Sequence, residues 1–280
     1  MQGTGAIFDE SPIPGDAGAV RTNDVCHLLE PGRYAIDGRM VTFPVVVADA
    51  AMCMNAFLVD AKAAQAMIAD SGFRVLELWP GKAILQLLAV DYRQNDLGDY
   101  NEAVILFPVL TPGEKQPFPL LGPIRRLATG AVANYVYRMP VDQAFTAHAG
   151  RYIWGFPKWV TRVDIEFNAS RAAASFIDDG QPVFSISART GGTGVAKEQR
   201  AASLAIRDGK AWKTCGSNAG TGVTFALGGE LPRIGESHPL AQELRGLGLP
   251  KKPLFSLSIA SATMRFDGPE TVAIGAAFAS

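Results

Sequence analysis

The sequence predicts an α+β fold, mainly antiparallel β, with a few helices at its periphery. Three observations carry this. Several short segments alternate apolar and polar residues at the period of a half-buried strand. Turn dipeptides separate apolar runs at hairpin spacing. The strand–helix–strand rhythm of a doubly wound, nucleotide-binding sheet is missing.

Taken in order, residues 1–30 are rich in Gly, Pro and Asp and read as an N-terminal arm. No repeat or low-complexity linker divides the rest, so residues 31–280 are expected to form a single domain. A helix starts at Asp60, an N-cap residue type, and places Ala61, Ala64, Met67 and Ile68 on one face. Ser71-Gly72 stops it. Phe73–Trp79 and Ala83–Tyr92 read as strands around the turn Pro80-Gly81. Ala103–Val109 is continuously apolar, as a strand buried on both faces would be. Asn134–Arg138 is aromatic and β-branched, and a weak helix, Gln143–Ala149, follows Asp142. Val163, Ile165 and Phe167 alternate with Arg162, Asp164 and Glu166. Ala172–Ile177 and Val183–Arg189 flank Asp179-Gly180 as a hairpin, with Phe184, Ile186 and Ala188 on one face and Ser185 and Ser187 on the other. A short helix, Pro239–Gly246, precedes a strand in which Phe255, Leu257 and Ile259 alternate with Ser256 and Ser258.

Composition narrows the function. Of 280 residues, 48% are hydrophobic and 19% charged, enough to bury a large core. Lys+Arg 26 against Asp+Glu 27 gives a net charge of -1, without the basic excess that nucleic-acid binding needs. The pairs Arg125-Arg126 and Lys251-Lys252 read as solvated surface. Cys26, Cys53 and Cys215 are widely spaced with no CxxC, a poor disulfide or zinc framework, and a reducing, cytoplasmic setting is expected. The N-terminal MQGTGAIFDESPIPG has no apolar signal core, and no run reaches the ~20 apolar residues of a membrane helix, so no membrane association is expected.

Several motifs fail. Gly191-Gly192-Thr193-Gly194 is no phosphate-binding loop and reads as a flexible hairpin loop. The run from Cys215 to Gly220 lacks the GxSxG elbow. His27, His148 and His238 lie far apart and HExxH is absent, so no metal is expected. No flavin or nicotinamide box is present, and no cofactor is expected.

Two segments carry chemistry. In Gly150-Arg-Tyr-Ile-Trp-Gly-Phe-Pro-Lys-Trp159 a single lysine, Lys158, sits among Trp154, Phe156 and Trp159, with Pro157 fixing the turn. Apolar surroundings disfavour a charged amine, and a neutral amine can attack a carbonyl to form a Schiff base. From spacing alone, a lysine snorkelling over surface aromatics is the commoner outcome for these residues. The polar segment Asp91–Glu102 lies between strongly apolar runs and ends on Glu102, where strand 103–109 begins. That carboxylate either points into a pocket or caps a polar loop.

Together these segments resemble the acetoacetate decarboxylase family. GRYIWGFPK is similar to its active-site segment, LGDYNEAV to its glutamate segment, and HPLAQELRGLGLPKKPLFSLSIASATMRF to its C-terminal end. The resemblance implies a cone-shaped β-barrel with an interior pocket and assembly into a homo-oligomer. It places Lys158 on the Schiff-base lysine and Glu102 on the acid beside it. Acetoacetate decarboxylase is itself the standard example of a lysine activated by an apolar pocket or a neighbouring cation. Departures from the pattern are specific. Trp159 stands where the decarboxylases carry a second lysine, which leaves desolvation as the main activating route unless Arg151 or Arg162 supplies a cation. A family glutamate would fall near Leu85–Gln86, where neither residue is acidic. Arg39 is the candidate for holding the substrate carboxylate, and Tyr100, Phe156, Trp159 and Trp154 for lining the substrate. The expected activity is a Schiff-base lyase on a small keto acid, run as a decarboxylase. The alternatives are an aldolase–dehydratase on pyruvate-type substrates plus an aldehyde, and a small-molecule-binding barrel without turnover.

Overall fold

The computed structural model describes residues 25–272. Residues 1–24, most of the expected arm, lie outside the described residues. The chain runs β1 (Cys26–Glu30), β2 (Arg33–Ile36), β3 (Arg39–Thr42), β4 (Val45–Asp60), α1 (Ala61–Met67), β5 (Arg74–Val75), β6 (Glu77–Trp79), β7 (Lys82–Asn95) and β8 (Tyr100–Leu110). Next come α2 (Leu121–Ala128), β9 (Ala133–Arg138), α3 (Ala144–Trp154), β10 (Arg162–Phe167), β11 (Arg171–Asp178) and β12 (Gln181–Arg189). It ends with β13 (Gly194–Arg207), β14 (Lys210–Leu227), β15 (Arg233–Ile234), α4 (Pro239–Gly246) and β16 (Phe255–Val272).

Seven strands close into a barrel, in the order β8-β9-β13-β14-β16-β4-β7, because β7 pairs again with β8. All neighbours in it are antiparallel except β9 and β13. A four-stranded sheet, β10-β11-β12-β15, packs with α4 on the outside of this barrel, and β1–β3 form a separate meander. Strand β8 shows why its sequence is apolar throughout. Ala103, Ile105, Phe107 and Val109 enter the outer core shared with β10–β12 and α4. Val104 and Leu106 face the barrel interior. Both faces are buried, as the unbroken apolar run predicts. Fully buried Phe57, Phe107, Phe176 and Phe184 dominate the outer core, each contributing roughly 1.5–3 kcal/mol by burial. No helix among the described residues is long and apolar enough to cross a membrane.

The Asp60 helix forms where expected: the Asp60 carboxylate accepts from the Ala63 N–H at 3.0 Å, and Gly72 takes the left-handed conformation at φ 70°. The 171–189 hairpin and α4 also stand as read. Other readings change. The predicted strand 73–79 is broken into β5 and β6, which pair with different neighbours. Helix α3 continues through Trp154, past the expected end at Ala149, so half of the lysine segment is helical. The glycine cluster at 191–194 is not a hairpin loop: it connects β12 to β13, which belong to different sheets. It is packed rather than free, since the Gly192 N–H donates to Thr224 Oγ1 at 2.9 Å and a Cβ there would meet the Val223 carbonyl at 2.3 Å. In β16 the alternation is present, but Ser256 and Ser258 take the buried side. Ser258 donates to the Arg189 carbonyl at 2.6 Å, and the Asn55 amide donates to the Ser187 carbonyl at 2.9 Å. These bonds fasten β12 to barrel strands with which it shares no ladder.

Candidate active site

The site is assembled by backbone hydrogen bonds from three parts of the chain. Helix α3 ends on Gly155, left-handed at φ 73°, and the Phe156 N–H folds back to the Gly150 carbonyl at 3.0 Å. Around Pro157 the Lys158 N–H donates to the Phe156 carbonyl at 2.8 Å, a tight turn that releases the chain into an extended run. That run lies beside residues 139–142. The Met139 N–H donates to the Pro157 carbonyl and the Val141 N–H to that of Trp159, at 3.1 and 3.0 Å. On its other side the same segment holds the start of β8: the Ala103 N–H donates to the Pro140 carbonyl, and the Asp142 N–H to that of Asn101. Residues 139–142 are thus the spacer that sets Lys158 against Glu102.

Lys158 Nζ lies 2.7 Å from Glu102 Oε2, with the two side chains only 5% and 4% exposed. Taking either charge out of water alone is costly, and each offsets the other. The lysine stem crosses α3 directly over Gly150, where an added Cβ would fall 2.4 Å from Lys158 Cδ. Only glycine leaves that path open. Across the β7–β8 ladder, Tyr92 stands opposite Tyr100 and Val90 opposite Glu102. The tyrosine rings stack at 4.4 Å, and the Tyr100 ring centroid is 5.2 Å from Lys158 Nζ. The Tyr92 hydroxyl donates to Glu102 Oε1 at 3.4 Å. Burial, reinforced by the Glu102 charge, pushes both phenols well above the usual tyrosine range, so they remain neutral donors.

The other sequence candidates scatter. Phe156 packs with Val104, Leu106, Val136 and Met139 on the interior wall beside the lysine turn. Trp154 is core: its indole N–H donates to the Asp267 carbonyl at 3.0 Å and its ring lies against Phe43 and Phe156. Trp159, one residue after Lys158, packs into the outer core instead. Its N–H donates to Asp178 Oδ1 at 3.0 Å and its ring meets Phe176 edge-on. Arg39 is exposed on β3, its guanidinium 3.8 Å over the Phe145 ring, and the structure does not bring it to the pair. Arg162 is exposed and paired with Asp164. Gly150 and residues 139–142 are the parts that the sequence reading did not single out for the site. A glycine eight positions before the lysine was visible; its role depends on the path of another side chain.

His148 pairs with Asp37 at 2.7 Å, and His238 caps α4 while pairing with Asp178 at 3.3 Å. No group of three or more His, Cys, Asp or Glu among the described residues is arranged to hold a metal ion.

Comparison with known proteins agrees with this architecture. The family model for acetoacetate decarboxylase (ADC) matches residues 34–213. A crystal structure of acetoacetate decarboxylase from Legionella pneumophila superposes with a TM-score of 0.57 at 16% identity, covering 82% of this chain and 87% of that one. A second acetoacetate decarboxylase structure gives 0.55 at 16% identity, covering 82% and 89%. The enduracididine biosynthesis enzyme MppR, complexed with pyruvate, gives 0.53 at 14% identity, covering 82% and 90%. No curated protein matches by sequence. The matched segment runs from β2 to the start of β14 and includes both members of the buried pair: the chain belongs to the acetoacetate decarboxylase family.

Proposed function

We propose that this chain is a Schiff-base lyase acting on a keto acid, with Lys158 as nucleophile and Glu102 as proton shuttle. The observation that carries the reading is the buried Lys158–Glu102 contact at 2.7 Å. Moving one proton across it converts an ion pair into a carboxylic acid and a neutral amine, the form that attacks a carbonyl. The amine attacks the substrate carbonyl carbon. The carbinolamine loses water, with Glu102 returning its proton to the departing oxygen, and a protonated imine forms. With a 3-keto acid the imine nitrogen then accepts the electron pair of the breaking carbon–carbon bond, CO2 leaves, and an enamine remains. Protonation at carbon and hydrolysis by water release the ketone and restore Lys158. Proton transfer by a positioned carboxyl group contributes typically ~10²–10⁴-fold. Tyr92 holds Glu102 in place through Oε1 and leaves Oε2 to the amine.

A second reading uses the same pair as an aldolase–dehydratase. Glu102 would remove a proton next to the imine, and the enamine would attack an aldehyde before water is lost. Trp159 supports it: the position that carries a second lysine in the decarboxylases is turned into the outer core here. A structurally similar protein, MppR, was solved with the condensation product of pyruvate and imidazole 4-carboxaldehyde.

Reductive trapping tests the proposal. The protein is mixed with acetoacetate or pyruvate and cyanoborohydride, and the intact mass and peptide map are recorded. A mass gain on Lys158, abolished in Lys158→Ala, is expected, and CO2 release then separates the two reactions. Turnover of a keto acid by a folded Lys158→Ala variant at the wild-type rate would overturn the mechanism.

A further inference from the structure

Beyond the Lys158–Glu102 pair the barrel is not filled. All seven barrel strands contribute to the wall of a cavity of about 260 Å³, near the lower end of the ~300–1,000 Å³ typical of small-molecule sites. The cavity explains why Met52 and Met54 are only half-buried, while Cys53 and Asn55 between and beyond them on β4 are sealed in the outer core. The strand register orders its contents. Glu102 is opposite Val90, Val104 opposite Leu88, and Leu106 opposite Gln86. Each two-residue step is about 6.7 Å along the strand, so Gln86 lies two steps, about 13 Å, beyond the reacting pair. The next inward position on β9 belongs to Asn134, two residues from Val136, the partner of Leu106.

These two amides have unused bonding capacity. Gln86 is only 9% exposed, lines the cavity and makes no side-chain hydrogen bond among the described residues. Asn134 Oδ1 is buried without a partner. A buried amide oxygen left unpaired is costly, so Asn134 calls for a partner that the chain does not supply, while the Gln86 amide opens onto the cavity with its bonding capacity free for a ligand. Between them and the pair lies a layer of apolar side chains, Leu88, Val104, Met139 and Phe156, of which Leu88 and Phe156 are not fully buried. Arg200 is the one charged residue in the cavity lining, and it is exposed at the rim.

We propose that the substrate of the Lys158 site is an elongated keto acid, with an apolar middle along Leu88 and Leu106 and an uncharged hydrogen-bonding group at its far end. Gln86 and Asn134 bind that group, such as a hydroxyl or an amide, and decide specificity. The charge follows from the wall: an amide offers both donor and acceptor to a neutral polar group, and Arg200, the one charged residue of the lining, is exposed rather than buried beside the amides. Acetoacetate or pyruvate would reach the amine and leave both amides unpaired.

This inference rests on the Schiff-base reading, and the test separates the two. Acetone, octan-2-one and 8-hydroxyoctan-2-one serve as product-like probes. Their binding to Lys158→Ala is measured by calorimetry, and their trapping on wild-type Lys158 by cyanoborohydride. The hydroxylated ketone is expected to bind about tenfold or more tighter than octan-2-one, with Gln86→Leu abolishing that preference in a variant whose melting is unchanged or higher. Equal binding of the two long ketones, or a preference that survives Gln86→Leu, would overturn the inference even if acetone is trapped on Lys158. Preferential binding of the hydroxylated ketone without trapping of any probe would support the cavity's specificity and refute the Schiff-base reading instead.

Discussion

Replacing Gly150 with alanine should separate stability from activity. The new methyl would sit 2.4 Å from Lys158 Cδ, 2.8 Å from Cε and 3.1 Å from Cγ. An ordinary contact needs about 3.4 Å or more, so the lysine stem must retreat by about 1 Å. What moves is a flexible side chain rather than backbone, which makes the retreat inexpensive for folding. Alanine also improves the helix by about 1 kcal/mol over glycine, which offsets an overpacking cost of roughly 1–3 kcal/mol. Stability should therefore change by no more than about 2 kcal/mol. The amine, however, leaves its 2.7 Å contact with Glu102. A misplacement of about 1 Å at a reacting group can lower the rate by about 10²-fold. The assay is the rate constant for reductive trapping of a ketone on Lys158, set beside a urea titration. Trapping at the wild-type rate in a folded Gly150→Ala variant would refute the argument that the glycine exists to pass the lysine stem.

Three further outcomes are expected. Glu102→Leu should destabilise by about 3–5 kcal/mol because it leaves a buried lysine charge unpaired, whereas Glu102→Leu with Lys158→Met should recover most of that loss; equal urea midpoints for the single and double variants would show the pair is not buried as described. Burial pushes the Cys53 thiol up to about 12, so in the folded protein at pH 8 it should resist a disulfide reagent until denaturant is added; labelling of Cys53 at the rate of a free thiol would contradict this. Hydrogen bonds from Thr111 and the Arg126 guanidinium hold the Glu114 carboxyl below its ordinary range, despite partial burial acting the other way. A lowered folded-state pKa stabilises above the unfolded value of ~4.3 and the benefit is lost as pH falls through the folded one. Glu114→Gln should therefore melt below wild type at pH 7, with the difference vanishing at low pH; a difference that grows on acidification would reverse the assignment.

Much of the architecture was legible because it is local. Asp60 caps its helix through an oxygen three residues from the N–H that it meets, and Asp179-Gly180 closes a hairpin between adjacent strands. The unbroken apolar run before Leu110 announces burial on two faces. The long strands β13 and β14 were not legible. Rich in Ala, Gly, Ser and Thr, they carry little hydrophobic contrast, and their strand state comes from their neighbours in the ladder. Which face of β16 is buried was not legible for a related reason. Ser256 and Ser258 are sealed on its outer face, where Ser258 is hydrogen-bonded to β12, while Leu257 on its inner face borders a partly hollow interior and is only half-buried.

The sequence by itself determined the residue types of the chemistry: one lysine in an aromatic, proline-bearing turn, and one acid at the mouth of an apolar strand. Those are properties of short stretches, set by covalent order. Only the tertiary structure decided that these two side chains meet, because their contact passes through the backbone of residues 139–142, remote in sequence from Glu102 and paired to both partners by long-range hydrogen bonds. It also decided that Trp159 turns away from Lys158, that Gly150 passes the lysine stem, and that Gln86 and Asn134 face a common cavity. Each of these depends on which strands are neighbours and in what register, and a barrel fixes that only when all its strands have closed.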